Sequence, residues 1–171
     1  MKDTKMKTSQ LAKSLSEKLH SSQIRKFSGD PYFLHTNRVA NMLKDLGCTD
    51  YVVSAAYLHD TIEDTDLTLE ELTNKFGFQI AHLVFEVTSK PSGIEKYGKD
   101  DYIAYKVSKI SRKALLIKLA DRIDNLLDGG SESWLAKYKI STRKMIDAIV
   151  KRTDLTIQHH ILLNQLISIT Y

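Results

Sequence analysis

Cysteine, proline and glycine are scarce in this sequence of 171 residues, which contains one cysteine, two prolines and seven glycines. Because Cys48 is alone, it cannot close an internal disulfide, and this excludes the disulfide-rich secreted folds. The scarcity of proline and glycine leaves long stretches in which nothing interrupts a helix.

Long hydrophobic runs are absent as well. No stretch of about 18 apolar residues occurs, so we expect no membrane span and no membrane partner. Residues 1–18 are charged throughout and lack the apolar core of a signal peptide. Together with the single cysteine, these absences predict a protein of the reducing cytoplasm.

The residues that are present are those of a folded chain. Apolar residues make up 42% of the sequence and charged residues 27%, a balance unlike that of disordered proteins. The length fits one domain. Because no repeat, linker or composition shift divides the chain, we expect a single domain over residues 1–171.

The net charge of the chain is +4. A basic surface attracts nucleic acids, acidic membranes and small polyphosphates, and the charge alone does not choose among them. The lysines and arginines are scattered and form no basic stripe, which argues against a nucleic-acid partner.

Apolar residues recur at helical spacing through most of the chain. The stretch from Thr68 to Glu71 has the pattern of a capping box, which marks the start of a helix. No segment alternates apolar and polar residues with the period of two that is typical of a strand. We therefore predict an all-α fold with loops at about residues 26–30 and 89–98. The predicted helices cover about residues 8–22, 31–47, 50–62, 68–77, 78–88, 99–110, 112–127, 132–149 and 151–168.

One stretch concentrates groups that can carry chemistry. His59, Asp60, Glu63 and Asp64 occur at the end of a predicted apolar helix, and residues four apart on a helix share a face. Burying these groups together is costly unless a cation compensates the carboxylates. Imidazole nitrogens and carboxylate oxygens are suitable ligands for Mn²⁺, Fe²⁺ or Zn²⁺. The stretch therefore indicates a site for a divalent metal ion.

Two further polar residues lie within apolar helical runs and are candidates for additional ligands. These are His35 and Asp121, and Asn125 follows Asp121 by one helical turn on the same face. Simpler roles are open for both. His35 fits a hydrogen-bonded core histidine, and Asp121 fits a helix cap or a salt-bridge partner of Lys118 or Arg122.

The order of His35, His59-Asp60 and a distant Asp121 resembles the H…HD…D pattern of the HD superfamily. The surrounding residues are similar to those of the hydrolase domains of RelA/SpoT-type alarmone enzymes. Over about residues 5–150, the similarity follows the same order along the chain. Residues 26–35 resemble the segment R-K-S-G-E-P-Y-I-x-H, residues 58–65 resemble L-H-D-x-x-E-D-T, and residues 116–125 resemble L-V-K-L-A-D-R-L-x-N.

The resemblance implies a single-domain helical bundle of the HD type with a metal site at its centre. It implies removal of the 3′-pyrophosphate from (p)ppGpp by a water that one divalent ion activates, manganese in that family. In size the chain is similar to the stand-alone alarmone hydrolases. Carried over position by position, the metal ligands are His35, His59, Asp60 and Asp121; Glu63 and Asp64 position and deprotonate the attacking water; Lys26, Ser28 and Tyr32 line the nucleotide pocket; and Asn125 lies near the sugar or phosphate.

The chain departs from the family pattern near the expected nucleotide pocket. Lys26 aligns with the arginine that opens the family's R-K-S-G segment, with Arg25 just before it, and Leu127 stands where the family has an arginine. Two alternatives therefore stay open: an HD phosphohydrolase that acts on another nucleotide, and a catalytically silent HD module that binds a nucleotide or a protein. The full set of ligands together with Glu63 and Asp64 favours an enzyme. The oligomeric state is left open, including a homo-oligomer.

Overall fold

The computed structural model describes residues 7–171, so part of the segment on which the signal-peptide prediction rests lies outside the described residues. Over the described range the backbone forms eleven helices and no strand, apart from an isolated bridge between Ile24 and Pro31. The all-α prediction is confirmed. The helices are α1 (Thr8–Leu19), α2 (Phe33–Asp45), α3 (Asp50–Tyr57), α4 (Thr61–Asp64), α5 (Leu69–Phe76), α6 (Phe78–Val87), α7 (Pro91–Tyr97), α8 (Lys99–Val107), α9 (Arg112–Asp128), α10 (Glu132–Ile149) and α11 (Ile157–Thr170).

Local sequence signals set several helix ends. The Thr68 hydroxyl accepts a hydrogen bond from the Glu71 N–H at 3.2 Å, and the Glu71 carboxylate accepts one from the Thr68 N–H at 2.9 Å. This is the predicted capping box, a device that stabilises a helix start by roughly 1 kcal/mol. At the end of α2, Gly47 has a φ of 72°, a left-handed conformation that favours glycine and stops the helix.

The helix predicted over residues 50–62 is not continuous. The α3 helix ends at Tyr57, and the next helix begins only at Thr61. The Thr61 hydroxyl donates to the main-chain carbonyl of Leu58 at 2.7 Å, which replaces a helical hydrogen bond at the break. His59 therefore lies on a turn, and the prediction that His59 and Glu63 share one face of a continuous helix is wrong.

Two other predicted boundaries also differ. The expected loop over residues 89–98 contains a helix, α7, because Pro91 occupies its first position, where the missing N–H of proline costs little. The helix expected from residue 151 begins only at Ile157, after a turn that ends at the helix cap Thr156. In both places the local sequence pattern fits either a loop or the start of a helix.

The α9 helix is the central element of the fold. It packs against α2, α3, α6, α10 and α11, and Leu115, Ile117, Leu119 and Ile123 are fully buried within it. Burying each side chain of this size stabilises the fold by about 1.5–3 kcal/mol. Asp121 lies in the middle of this apolar run, so the core itself places a carboxylate at the centre of the bundle.

Among residues 7–171, no helix combines the length and the apolar character that are needed to cross a bilayer.

Candidate metal centre

Three elements bring polar side chains to one buried point. His35 comes from the first turn of α2, His59 and Asp60 from the turn between α3 and α4, and Asp121 from α9. His35 and His59 are almost completely buried, as is Asp121, and Asp60 is partly buried. One ligand atom each from His35, His59 and Asp121 lies within 4.8 Å of the others. We call these four residues the central cluster.

Both imidazoles of the central cluster direct Nε2 towards the two carboxylates. His35 Nε2 lies 3.4 Å from Asp121 Oδ1 and 3.5 Å from Asp60 Oδ2. His59 Nε2 lies 3.0 Å from Asp60 Oδ2 and 3.7 Å from Asp121 Oδ1. The structure therefore brings together all four residues that the sequence singled out as ligands, and their ligand role stays a prediction.

The opposite ring nitrogens hold the two imidazoles in place. His35 Nδ1 lies 2.6 Å from Asp124 Oδ2, and His59 Nδ1 lies 2.8 Å from the carbonyl oxygen of Ala56. A proton on Nδ1 satisfies both contacts and leaves the Nε2 lone pair directed inward. Neither Nε2 atom has a hydrogen-bond partner among the described residues. Two such nitrogens that face two carboxylates form a donor set that fits a divalent metal ion.

The charges of the central cluster are strongly coupled. Burial by itself lowers the pKa of His59, but the charges of Asp60 and Asp121 outweigh burial and raise that pKa to about 9. Burial also lowers the pKa of His35, and the carboxylates Asp121, Asp124 and Asp60 raise it well above its usual range. Without a metal ion the cluster therefore takes up protons, and a metal ion must displace them.

Asp121 uses its two oxygens for different contacts. Its Oδ2 lies 2.7 Å from the Lys118 ammonium, and its Oδ1 accepts a hydrogen bond of 2.6 Å from the Asn125 amide while facing the imidazoles. The salt bridge to Lys118 that the sequence left open is present, and it leaves one oxygen directed to the centre. Arg122, the other partner considered, instead lies over the Tyr138 ring at 4.3 Å from its centroid.

The two carboxylates assigned to the attacking water have different surroundings. The Tyr32 hydroxyl lies 2.8 Å from Asp60 Oδ2 and 3.1 Å from Asp64 Oδ2. Burial, and then the charge of Asp60, raises the pKa of Asp64 above its usual range. Glu63 instead accepts a hydrogen bond from the main-chain N–H of Ser89. Asp64 therefore contacts the cluster through Tyr32, whereas Glu63 contacts the segment between α6 and α7.

The predicted nucleotide-pocket residues are only partly brought together. Tyr32 and Asn125 contact the central cluster, through Asp60 and Asp121 respectively. Lys26 and Ser28 are exposed, and their contacts lie within their own loop. The Lys26 ammonium lies over the Phe27 ring, and the Ser28 hydroxyl accepts a long hydrogen bond from the Asp30 N–H.

Arg25 was not among the residues predicted for the site. Its Nη2 donates to Asn125 Oδ1 at 2.6 Å, its Nε donates to Asp128 at 3.0 Å, and its guanidinium lies over the Tyr32 ring. The sequence feature that could have identified Arg25 is the arginine of the family's R-K-S-G segment, which aligns with the neighbouring Lys26. The structure places Arg25, rather than Lys26, against the residues around the central cluster.

An aromatic cluster was also missed. Phe27 packs against Trp134 with ring centroids 5.0 Å apart, and Trp134 stacks on Tyr138 at 4.4 Å. Gly130 approaches this cluster so closely that an added Cβ would lie 2.5 Å from the indole ring. More than a hundred residues separate Phe27 from Trp134 in the sequence, so no local pattern could have joined them.

Fold and site together define an all-helical protein whose buried centre, formed by two imidazoles and two carboxylates, suits a divalent ion. The chain belongs to the HD domain family, whose family model matches residues 12–149. The membership predicted from the H…HD…D pattern is confirmed.

Relatives with curated descriptions are similar over most of this chain. The GTP pyrophosphokinase of Myxococcus xanthus is 36% identical over 151 residues, which cover 82% of this chain and 20% of the relative. The guanosine-3′,5′-bis(diphosphate) 3′-pyrophosphohydrolase of Aquifex aeolicus is 36% identical over 126 residues, which cover 68% of this chain and 17% of the relative. The chain thus spans about a fifth or less of the length of these relatives. They confirm the predicted resemblance to RelA/SpoT-type enzymes.

Two solved structures share the fold. One belongs to a metazoan orthologue of SpoT described as hydrolysing ppGpp; it has a TM-score of 0.82 and 28% identity, and the match covers 95% of both chains. The other is the structure of lmo0812 from Listeria monocytogenes, with a TM-score of 0.64 and 22% identity, covering 84% of this chain and 99% of that chain. At that identity the second structure supports the helical fold alone.

Proposed function

We propose that this chain removes the 3′-pyrophosphate from guanosine 3′,5′-bis(diphosphate) by metal-dependent hydrolysis, which yields GDP and pyrophosphate from ppGpp and water. The observation that carries the proposal is the pair of inward-directed Nε2 atoms of His35 and His59, which face Asp60 and Asp121. The similarity to the Aquifex aeolicus 3′-pyrophosphohydrolase and to the metazoan ppGpp-hydrolysing protein supports the choice of substrate.

In this proposal His35, His59, Asp60 and Asp121 hold one divalent ion, and Mn²⁺ is the first ion to test. When bound, such an ion lowers the pKa of a water molecule and draws charge from a phosphate oxygen. The contacts of Asp121 with Lys118 and Asn125 keep its carboxylate in place for this role.

Asp64 is the residue that we propose accepts the proton of the attacking water. Its pKa is raised by burial and by the charge of Asp60, which brings its basicity closer to what a general base needs. The Tyr32 hydroxyl, shared between Asp60 and Asp64, keeps this carboxylate beside the cluster. We propose that Glu63, which accepts a hydrogen bond from the Ser89 N–H, helps to position the water.

The negative charge of the substrate requires cations at the rim of the pocket. Arg25 is placed for this role because it contacts Asn125 and Tyr32, which both reach the central cluster. Lys26 and Ser28, on the exposed loop, complete the proposed nucleotide pocket. We also propose a cytoplasmic location, supported by the single Cys48, and a small nucleotide rather than a nucleic acid as partner.

A second function is favoured by one feature of the pocket. The carboxylate of Asp128 pairs with Arg25, and Leu127, at the position where the family pattern described above has an arginine, is 61% exposed. Less uncompensated positive charge at this rim suits a substrate with fewer phosphates. Another phosphorylated nucleotide is therefore the alternative substrate.

The experiment is a hydrolysis assay with purified protein, Mn²⁺ and ppGpp, in which GDP and pyrophosphate are separated by ion-exchange chromatography. A panel of other nucleotides is tested in parallel. Release of pyrophosphate from ppGpp supports the proposal. Turnover of another nucleotide but not of ppGpp favours the alternative, and nucleotide binding without turnover of any of them indicates a silent binding module.

A further inference from the structure

The two imidazoles of the central cluster are held by groups of different charge. His59 Nδ1 faces the uncharged carbonyl oxygen of Ala56 at 2.8 Å. His35 Nδ1 faces the carboxylate of Asp124 at 2.6 Å. A carboxylate and a carbonyl can both accept a hydrogen bond from Nδ1–H. The carboxylate makes the imidazole the stronger metal ligand, because its charge stabilises positive charge on the ring.

Asp124 is itself firmly held. It is 3% exposed on α9, three residues after Asp121. Arg38 from α2 approaches it with both ends of the guanidinium, Nε to Oδ1 at 2.6 Å and Nη2 to Oδ2 at 3.0 Å. Paired hydrogen bonds of this kind fix the plane of a carboxylate as well as its charge.

The arrangement forms a continuous line from surface to centre. The Arg38 side chain is 39% exposed, the Asp124 side chain 4% exposed and the His35 side chain 1% exposed. The Arg38 guanidinium compensates the negative charge of Asp124, so the carboxylate can be buried in its charged form. Its Oδ2 remains available to accept the Nδ1 proton of His35.

We propose that Asp124, held by Arg38, is a positioning residue that fixes the Nδ1-protonated tautomer of His35 and so directs its Nε2 lone pair to the metal. The inference rests on the metal centre of the proposed function and not on the identity of the nucleotide. It makes His35 the more strongly oriented of the two imidazole ligands, because His59 has only a main-chain acceptor.

The test is the affinity for Mn²⁺, measured by titration calorimetry without nucleotide. In Asp124→Asn the amide can donate to Nδ1, which favours the tautomer with a proton on Nε2, the atom that the metal needs. We expect Mn²⁺ affinity to fall roughly 10- to 100-fold. The matched control is Asp154→Asn, because Asp154 forms an equivalent fork with Arg152, at 2.9 and 2.7 Å, away from the cluster. The control should bind Mn²⁺ as the wild type does.

Circular dichroism shows whether Asp124→Asn folds. If it does not fold, a second variant tests the proposal. Arg38→Ala keeps Asp124 and removes the fork, and we expect a reduced Mn²⁺ affinity because the carboxylate loses its orientation. In the metal-free protein, at a pH at which the imidazole of His35 is neutral, long-range ¹H–¹⁵N spectra should show the His35 proton on Nδ1 in the wild type and a changed tautomer in the variants. A purely structural role of Asp124 would leave this tautomer unchanged.

Unchanged Mn²⁺ affinity in folded Asp124→Asn, or in Arg38→Ala, overturns the proposal. The proposed substrate is tested separately. A wild type that binds Mn²⁺ but does not cleave ppGpp contradicts the proposed activity and leaves this inference standing. A wild type that binds no divalent ion contradicts the metal centre itself.

Discussion

The hydroxyl of Tyr32 lies within hydrogen-bond distance of two carboxylates, 2.8 Å from Asp60 and 3.1 Å from Asp64. Burial, followed by the charges of these two groups, raises the pKa of Tyr32, so the phenol stays protonated and acts as a donor. One proton shared by two acceptors holds a proposed ligand and the proposed base side by side.

Removal of this hydroxyl should affect catalysis more than metal binding. For Tyr32→Phe we expect a turnover number lower by about 10- to 100-fold, since a hydrogen bond to a charged group contributes about 1.5–3 kcal/mol. Steady-state kinetics and metal content measure the two effects. The exposed Tyr105→Phe is the control, and equal rates for both variants would contradict the role of Tyr32.

Asp121→Ala should abolish both metal binding and activity. It also leaves the Lys118 ammonium, whose side chain is 12% exposed, without its partner, and the cost should be below the roughly 3–5 kcal/mol of a fully buried pair. Elemental analysis and thermal unfolding check both parts. Asp147→Ala, at an exposed position on α10, controls for the loss of an aspartate. A stoichiometric ion in folded Asp121→Ala would rule out Asp121 as a ligand.

Substitution of the proposed base should spare the ion. For Asp64→Asn we expect wild-type Mn²⁺ content and a rate reduced by about 10²–10⁴, the usual contribution of a general base. Glu63→Gln should also keep the metal and lower the rate, by less, because its contact is with the Ser89 N–H. An unchanged rate in Glu63→Gln would exclude Glu63 from handling the water.

Metal binding should release protons near neutral pH. The pKa of His59 is raised to about 9 in the metal-free protein, so this imidazole is protonated at neutral pH and must lose its proton to bind an ion. Affinity should therefore rise with pH until about 9. Titration calorimetry in buffers of different ionisation enthalpy measures the protons released, and a heat that is independent of the buffer would disagree with the expectation.

The same shift predicts how the stability of the metal-free protein depends on pH. The folded pKa of His59, about 9, exceeds its ordinary value of 6.5, so the group stabilises the fold below about pH 6.5. This contribution is lost as the pH rises through 9. Denaturant titrations of chelator-treated protein at several pH values test it, and stability that increases over this range would oppose the prediction.

Arg25 and Lys26 should differ in their effect on substrate binding. Arg25 contacts Asn125 and Tyr32, whereas the contacts of Lys26 lie within its loop. We expect Arg25→Ala to raise KM at least 10-fold and Lys26→Ala to raise it less. Both substitutions remove a cation, but only the Arg25 side chain faces the site. The metal content should be unchanged in both variants. The reverse order would assign the family's arginine position to Lys26.

The helix boundaries and the candidate metal ligands could be predicted from the sequence to different extents. The α10 helix has its predicted bounds, Glu132–Ile149, because its apolar spacing and its cap act locally. The break after Tyr57 was not predictable, since it depends on a side-chain bond from Thr61 to Leu58 that competes with a helix. His35 and Asp121 were selected as polar residues in apolar runs, a signal that a single chain does carry.

The partners of those residues were beyond the reach of local patterns. Asp124 is one of several charged residues on α9, and only the packing of α2 against α9 gives it His35 and Arg38 as neighbours. Arg25 likewise depends on contacts with residues about a hundred positions away. Sequence spacing relates residues within a helical turn or two of one helix, whereas these contacts join residues from separate elements.

The shared carboxylate of Asp121 has a consequence for how the centre is filled. Its Oδ2 pairs with the Lys118 ammonium instead of facing the imidazoles, so the position of the carboxylate does not depend on a bound ion. Asp121 is therefore in place before an ion binds, and we expect removal of the ion by a chelator and its resupply to be reversible without refolding. Activity in the cell would then follow the free concentration of the ion.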